Sequence, residues 1–222
     1  CDNAVFALAS THDGWIWTAE CLTGLHLYHT DHSEPIAYLS EAQGLLTHHI
    51  SSIIPLPITT PETTPSAWVA TAAGAMQVQF KHDELSIIRS ASYDDGLPSG
   101  PVDALTVLPN GGVFLAYNGR NSQWIFDADL AERRAISQVR YLPETGLAHA
   151  PIHFYSDGKR FNKIDIRALV FSENILWVAT SVGLFKTGQA FHAQARLQLL
   201  TRPGSPQMAI RQLKIHPVSG NL

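Results

Sequence analysis

GLPSGPV, residues 96–102, begins with a glycine and ends with an aliphatic residue that opens a new apolar run. Three further heptads keep this spacing, and the four glycines are 52, 50 and 58 residues apart. A period of about 50 residues indicates supersecondary units that repeat along the chain, not one irregular domain. The other heptads are GLLTHHI at 44–50, GLAHAPI at 146–152 and, more loosely, GSPQMAI at 204–210.

The intervals between the heptads contain short runs rich in Val, Ile, Leu, Trp, Phe and Tyr, separated by Gly, Pro, Asn, Asp and Ser clusters, as is typical of strands. In the second interval these runs are ISSIIPL at 50–56, AWVAT at 67–71, GAMQVQF at 74–80 and LSIIRSA at 85–91. Four short strands in about 50 residues match one blade of a β-propeller. We therefore predict an all-β fold, a β-propeller of four-stranded antiparallel blades.

The predicted blades cover residues 4–43, 44–95, 96–145 and 146–203, and a further blade begins at 204–222. The third blade is expected to have strands at 102–108, 112–117, 122–126 and 136–142. An insertion at 152–163, with a hairpin turn at Ser156-Asp157-Gly158, accounts for the longer last period. About four blades and one extra strand, Ile210–Ile215, indicate a single segment of a larger propeller. A small closed ring completed by the last strand is the alternative.

A tryptophan motif marks the second strand of each predicted blade. WVAT occurs at 68–71 and 177–180, WIWT at 15–18, and FLAY stands at 114–117. A repeated large aromatic residue is expected to fill the space between blades, a role that this alignment gives to Trp15, Trp68 and Trp177. Trp17 and Trp124 fall outside the repeated position, so we predict that they make exposed contacts.

Together these motifs resemble the two-component regulator propeller repeat. Asp95-Gly96-Leu97-Pro98-Ser99 matches its acidic-Gly-Leu-Pro-Ser linker, and WVAT followed by Gly74 or Gly183 matches its second strand and turn. The resemblance covers most of the chain. It implies a sensor domain in the periplasm or on the extracellular face of a bacterial inner membrane, whose signal a separate output domain transmits. A cytoplasmic location is the alternative.

Composition agrees with a folded domain and argues against several partners. Hydrophobic residues make up 45% and charged residues 15% of the chain, and the formal net charge is -4. A negative net charge gives no electrostatic case for nucleic acid or an anionic membrane surface. No apolar run approaches the ~20 residues of a membrane span. We expect no nucleic-acid partner and no membrane contact by this segment.

Enzyme and metal motifs are missing from the sequence. There is no Gly-x-Ser-x-Gly, P-loop or His-Glu-x-x-His pattern. His26, His29 and His32 lie close together beside Asp31, but His26 and His29 would point to opposite faces of a strand. We predict a non-enzymatic domain with no catalytic residue, no metal and no cofactor.

The candidate binding residues are the departures from the repeat and the linker histidines. Linkers run close to the ligand-binding faces of propellers, and insertions commonly add specificity. The expected partner is a small polar ligand or glycan, or a protein, with a homodimer as a further option. Two other functions stay open, a scaffold for protein–protein interaction and a lyase or lactonase whose active site lies outside this segment. The candidates are Trp17, His48, His49, Trp124, Tyr155, Lys159 and Arg160.

Two smaller predictions concern cysteines and carboxylates. Cys1 and Cys21 pair only if adjacent strands bring them together, so the expectation is a buried or free thiol. A lipidated Cys1 is the less favoured alternative, because a strand begins near residue 4. Gln43, Asp95 and Glu144 precede or adjoin linker glycines, which predicts that they cap turns.

Overall fold

The computed structural model describes residues 4–58, 60, 63–97, 100–109, 111–117, 135–142, 146–152, 155–156, 159–160, 165–187 and 197–200. Between 135 and 160, and at 197–199, the description covers the backbone only. The chain divides into two compact units, residues 1–95 and residues 96–222. The predicted extra strand, Ile210–Ile215, lies outside the described residues.

The first unit consists of two four-stranded antiparallel sheets, in each of which the strands follow one another in chain order. We call these sheets blade 1 and blade 2. Blade 1 contains β1 (Val5–Ser10), β2 (Trp15–Glu20), β3 (Gly24–His29) and β4 (Ala37–Leu39). Blade 2 contains β5 (Ile50–Pro55), β6 (Ser66–Thr71), β7 (Gly74–Lys81) and β8 (Glu84–Ser92).

The second unit has two more sheets of the same kind, blade 3 and blade 4, and a separate two-stranded hairpin. The all-β class and the four-stranded antiparallel blades of a β-propeller are thus confirmed. Blade 3 contains β9 (Ala104–Val107), β10 (Val113–Tyr117), β11 (Ala135–Leu142) and β12 (Gly146–Ile152). The hairpin is β13 (Tyr155–Ser156) and β14 (Lys159–Arg160), and blade 4 contains β15 (Ile166–Ser172), β16 (Ile175–Thr180), β17 (Gly183–Thr187) and β18 (Leu197–Leu199).

Blade 3 differs from the prediction at its end. The heptad at 146–152, expected to be a linker, is the fourth strand β12, and it pairs with β11 from Leu142↔Gly146 to Ile136↔Ile152. The segment 136–142 is therefore the third strand and not the fourth, and the strand predicted at 122–126 lies outside the described residues. Pro151 is compatible with β12 because this strand is at the edge of its sheet, where a missing amide donor is tolerated.

The predicted hairpin in the insertion is confirmed by strand pairing. Tyr155 lies opposite Arg160, and Ser156 lies opposite Lys159, on either side of the Asp157-Gly158 dipeptide. A two-residue connection of this composition is typical of a tight hairpin turn.

In the described residues, each unit has a hydrophobic core between its two blades. In the first unit, Trp17, Leu25 and Leu27 of blade 1 pack with Val69 and Met76 of blade 2. In the second unit, Phe114 and Ala116 of blade 3 pack against blade 4, where the core residues include Leu169, Val178 and Phe185. One side of a blade therefore packs against the opposite side of the next blade.

Strand register corrects the alignment of the tryptophans. Glu20 pairs with Gly24, Thr71 with Gly74, and Thr180 with Gly183 at the end of the second strand. Counting back from these pairs makes Trp17, not Trp15, the equivalent of Trp68 and Trp177. Trp17 and Trp68 are fully buried, so the prediction of an exposed Trp17 contact is wrong. The turn after the second strand of blade 1 is one residue longer than the corresponding turns of blades 2 and 4.

The linkers that begin at Gly44 and Gly96 share one construction. The backbone N–H and the hydroxyl of Ser40 donate to Gln43 Oε1 at 3.0 and 2.9 Å. Ser92 makes the same two bonds to Asp95 Oδ2 at 2.9 and 3.0 Å. The predicted turn-capping role is confirmed for Gln43 and Asp95, whereas Glu144 lies outside the described residues. The leucine after each glycine, Leu45 or Leu97, is buried.

Cys21 follows β2 directly, is buried and is disulfide-bonded. The expectation of a free thiol is therefore wrong for this residue. Cys1, which lies outside the described residues, is the one other cysteine of the sequence.

Candidate functional site

The predicted histidine pair lies in the linker between blades 1 and 2. The backbone N–H of His48 and its ring Nδ1 both approach Glu41 Oε1, at 2.8 and 2.7 Å. Because an ionised carboxylate only accepts, Nδ1 carries the proton and Nε2 is left for another partner. The two bonds, first the backbone one and then that from the ring, hold the pKa of Glu41 below its usual value.

His49 stands next to this pair and is exposed. The rings of His48 and His49 have centroids 4.4 Å apart and an interplanar angle of 37°. Neutral His48 offers Nε2 as an acceptor, and protonated His48 offers it as a donor. The linker therefore holds one oriented imidazole and, beside it, one exposed imidazole, a combination that suits a hydroxyl-bearing ligand.

The histidines of blade 1 do not gather around one point. His29 Nδ1 lies 3.2 Å from Asp31 Oδ2, while the rings of His29 and His32 are 6.4 Å apart. Among the described residues, no group of three or more His, Cys, Asp or Glu side chains is arranged to hold a metal ion.

A row of four residues across blade 1, three of them polar, was not predicted from the sequence. Leu8, Thr18, His26 and Tyr38 lie opposite one another across the four strands, on the face turned away from blade 2. At the equivalent positions of the first three strands, blades 2 and 4 have apolar residues that are buried in the cores of the two units. Thr18 corresponds to Val69 and Val178, and His26 corresponds to Met76 and Phe185.

Glu20 links the polar residues of this face by hydrogen bonds. Thr18 Oγ1 and Tyr28 Oη donate to Glu20 Oε1 at 3.1 and 2.9 Å. The other oxygen, Oε2, is 3.8 Å from His26 Nε2, and neither ring nitrogen of His26 has a hydrogen-bond partner in the described part of the chain. Burial, and then the bond to Glu20, raise the pKa of Tyr28.

Three aromatic rings lie close together on this face. The ring centroids of His26 and Tyr28 are 6.4 Å apart with an interplanar angle of 18°, and those of His26 and Tyr38 are 6.0 Å apart. We call Leu8, Thr18, Glu20, His26, Tyr28 and Tyr38 the outer face of blade 1. The motif itself contains the signal for this face, since WTAE at 17–20 stands where the other copies have WVAT.

Three of the remaining candidate residues lie in the two-stranded hairpin of the insertion. The hairpin places Tyr155 and Arg160 at one register position and Lys159 at the next, and these residues are described by their backbone. Trp124 lies outside the described residues. In the described ranges, no helix has the length and apolar character needed to cross a membrane.

No protein-family model matches the sequence, and no curated protein matches it. Solved structures do resemble it. The extracellular domain of BT4673 from B. thetaiotaomicron, described as a hybrid two-component system, has a TM-score of 0.57 and 16% identity over 89% of this chain and 24% of its own. PorZ, a surface component of the type-IX secretion system of Porphyromonas gingivalis, has a TM-score of 0.59 and 15% identity over 92% and 28%.

A third similar structure is described as a gluconolactonase, with a TM-score of 0.52 and 14% identity over 90% of this chain and 63% of its own. The chain spans about a quarter of the length of the BT4673 and PorZ structures. At these identities the likeness shows a shared β-propeller fold. The similar structures thus include extracellular domains of two-component systems as well as a protein described as a gluconolactonase.

Proposed function

We propose that this chain is a non-enzymatic part of the propeller of an extracytoplasmic sensor, in a signalling receptor of the two-component type. The linker and strand motifs that resemble the two-component regulator propeller repeat support this proposal. So does the structural likeness to the extracellular domain of BT4673. The role of the segment is to bind a small polar ligand or glycan, and a separate output domain transmits the signal.

The disulfide at Cys21 supports the location. Structural disulfides persist in oxidising compartments such as the periplasm and are rare in the cytosol. A cysteine buried at the end of a strand therefore fits a protein that folds outside the cytoplasm.

The observation that carries ligand binding is the Glu41–His48 pair. The carboxylate fixes both the ring orientation and the tautomer of His48, and such preorganisation lowers the entropy lost on binding. A hydroxyl of a polar ligand donates to Nε2, and the exposed His49 ring offers a face for the ligand's carbon skeleton.

The proposal is tested by titrating the ¹⁵N-labelled protein with a panel of neutral mono- and oligosaccharides and polyols. We expect one class to shift the signals of His48 and His49, and His48→Gln to weaken its binding by about tenfold, the effect of losing one oriented hydrogen bond. The matched control is His12→Gln, since His12 is an exposed residue in a turn of blade 1.

Two results would count against the proposal in different ways. If a sugar binds but His48→Gln leaves its affinity unchanged, the linker is not the site. If no member of the panel binds, and an in-frame deletion of the segment leaves the receptor's ligand response intact, the sensor function itself is wrong.

A further inference from the structure

The first strand of each of the four blades carries the same pattern at its start: an aliphatic residue, a variable residue, Ala or Ser, and a second aliphatic residue. The two aliphatic residues are three positions apart, which would place them on opposite faces of a regular strand. In blade 2, however, Ile50 and Ile53 both belong to the core of the first unit. In blade 4, Ile166 and Leu169 both belong to the core of the second. The four copies are VFAL at 5–8, ISSI at 50–53, VDAL at 102–105 and IRAL at 166–169.

A β-bulge explains why both aliphatic residues lie on one side. In blades 1, 2 and 4 the register between the first and second strands skips one residue, so that two residues of the first strand lie opposite one alanine. In blade 3 the backbone N–H of Asp103 donates to the carbonyl oxygen of Ala116 at 2.8 Å, and Ala116 also pairs with Ala104. The alanine is the third residue of each tryptophan motif, counted from Trp17 in blade 1, and it is fully buried in every copy: Ala19, Ala70, Ala116 and Ala179.

The residue that the bulge adds is the one whose chemistry changes from copy to copy, and we call it the bulge residue. It is Phe6 in blade 1, Ser51 in blade 2, Asp103 in blade 3 and Arg167 in blade 4. In the described part of the chain, none of the four belongs to the hydrophobic core of its unit. Bulges re-aim a side chain and are frequent next to functional sites. A constant frame that presents an aromatic ring, a hydroxyl, an acid or a base is therefore suited to recognition.

In the second unit the bulge residues belong to two neighbouring edge strands. β9 and β15 are the first strands of blades 3 and 4, and each is at the edge of its sheet. The two strands contact each other, and the backbone N–H of Phe171 in β15 donates to Thr106 Oγ1 in β9 at 3.2 Å. Asp103 and Arg167 therefore stand at equivalent positions, one in each blade, along this edge.

Arg167 brings a positive charge to this edge. Its side chain is half-buried, and within the ranges that the structure describes the guanidinium takes part in no hydrogen bond, ion pair or ring contact. A charge that is partly removed from water gains more from a partner of opposite sign than a fully solvated charge does, because the local dielectric constant is lower. Arg167 is thus placed to bind an anion.

The formal charge of the second unit also favours an acidic ligand. Residues 96–222 contain 13 of the 15 Lys and Arg and eight of the 19 Asp and Glu, so they carry a formal charge of +5. Residues 1–95 contain two basic and 11 acidic residues and carry -9. A net positive unit attracts anions and raises their rate of association.

We propose that Arg167 binds the carboxylate of a small hydroxylated acid at this bulged edge of the second unit. The planar fork of arginine donates two parallel hydrogen bonds to a carboxylate. Asp103, at the equivalent position of the neighbouring blade, accepts hydroxyl groups and repels a dianion such as phosphate, which favours a monocarboxylate. This site rests on the ligand-binding role proposed for the chain, and it is separate from the His48 linker.

The probes are gluconate and glucuronate, titrated into the full chain by isothermal titration calorimetry. We expect both acids to bind, and Arg167→Gln to weaken their binding by about tenfold or more, as the loss of hydrogen bonds to a charged group predicts. Arg167→Lys should keep only part of the affinity, since lysine cannot form the bidentate pair. Glucuronamide, which has an amide in place of the carboxylate, should bind the wild type weakly and lose little further in Arg167→Gln, because both changes remove the same interaction.

Lys186→Gln is the matched control. It removes one positive charge from the same blade, but Lys186 lies on the third strand, with its Nζ 5.8 Å from the centroid of the Trp177 ring. The affinity for glucuronate should therefore be nearly unchanged. Unchanged amide spectra of each variant establish that the fold is intact.

Three results would overturn the assignment of this site. Failure of both acids to bind removes the site, and equal affinity of the wild type and Arg167→Gln for glucuronate removes its anchor. Inorganic phosphate that binds as tightly as glucuronate makes Arg167 a contact for any anion. If neutral sugars shift the His48 signals in any of these cases, the proposed function stands without the acid site.

Discussion

Leu8 and Ile53 occupy equivalent positions in the first strands of blades 1 and 2, but Leu8 is 68% exposed and Ile53 is 7% exposed. Register establishes the equivalence, since Leu8 lies opposite Thr18 and Ile53 lies opposite Val69. Ile53 is buried because blade 1 covers it. The same repeat position is thus a core residue in one blade and a surface residue in its neighbour.

The first prediction follows from this pair. Ile53→Ala should lower the free energy of unfolding by about 2–5 kcal/mol, because it removes buried methyl groups from the core of the first unit. Leu8→Ala should change it by less than about 0.5 kcal/mol, since exposed substitutions cost little. Urea unfolding monitored by tryptophan fluorescence measures both. Equal losses would mean that Leu8 is covered in the free protein.

The second prediction compares two glycines with positive φ. Gly96 has φ +89° and open space around it, so Gly96→Ala should cost about 1–2 kcal/mol from the backbone conformation alone. Gly74 has φ +143°, and a Cβ there would overlap the carbonyl oxygen of Ala91 in the neighbouring strand. Gly74→Ala should therefore be clearly more destabilising in thermal unfolding. The reverse order would contradict the β7–β8 register.

The third prediction concerns pH. The pKa of Glu41 is lowered by the backbone N–H of His48 and then by its ring. A carboxyl with a lowered pKa stabilises the fold above its ordinary value of 4.5, and this contribution is lost as the pH falls through the lowered pKa. Carboxyl ¹³C titration should give a low pKa in the wild type. In His48→Ala it should rise only partly, because the backbone donor remains.

A Glu41 pKa at the ordinary value in the wild type would contradict this geometry. Glu34→Gln is the control, because Glu34 is exposed and takes no part in the linker.

The fourth prediction concerns Tyr28, whose pKa is raised by burial and then by the Glu20 carboxylate. The protonated Tyr28 stabilises the fold fully at a pH below 10.0, the ordinary pKa of tyrosine. This stabilisation is lost as the pH rises through the raised pKa of Tyr28. Phenolate absorbance should show that Tyr28 ionises at a lower pH in Glu20→Gln than in the wild type. Glu34→Gln should have a smaller effect, since Glu34 acts only through its charge. Identical titrations of all three proteins would argue against the Tyr28–Glu20 hydrogen bond.

The fifth prediction concerns Cys21. The oxidised protein should contain no thiol that reacts with an aromatic disulfide reagent under denaturing conditions, because the sequence has two cysteines and Cys21 is disulfide-bonded. Its intact mass should be lower than that of the reduced protein by two hydrogens. Cys21→Ser should lower the melting temperature, as loss of a native disulfide does in small secreted domains. Two reactive thiols in protein purified from an oxidising compartment would contradict the bond.

The blade architecture was predictable because its signals are local and repeated. The strands of blade 2 and the Gly-Leu linkers follow from alternating apolar runs and glycine spacing. The register of blade 1 was harder, since Trp15 and Trp17 are two residues apart and lie on one face of the strand. Counting back from the Glu20–Gly24 pair decides between them. This strand pairing is known from the structure and cannot be read from the sequence.

Two other features depend on strand pairing, which the heptad pattern does not reveal. GLAHAPI at 146–152 has the glycine and the aliphatic residue of a linker, but pairing with β11 makes it a strand. The outer face of blade 1 combines residues from four strands, so Thr18, His26 and Tyr38 are far apart in sequence and each is unremarkable alone. By contrast, His48 and Glu41 are seven residues apart within one linker, and the histidine was found from its position in that linker.

The serine-capped linkers have a consequence for how such a chain changes over generations. The hydrogen bonds from Ser40 to Gln43, and from Ser92 to Asp95, each lie within four consecutive residues. One buried leucine follows the glycine of each linker, and we call this capped turn with its leucine the joint. None of these groups belongs to the outer face of blade 1. Substitutions on that face therefore leave the joint untouched, so one copy of a duplicated module can acquire new recognition chemistry while its connection to the next module is inherited unaltered.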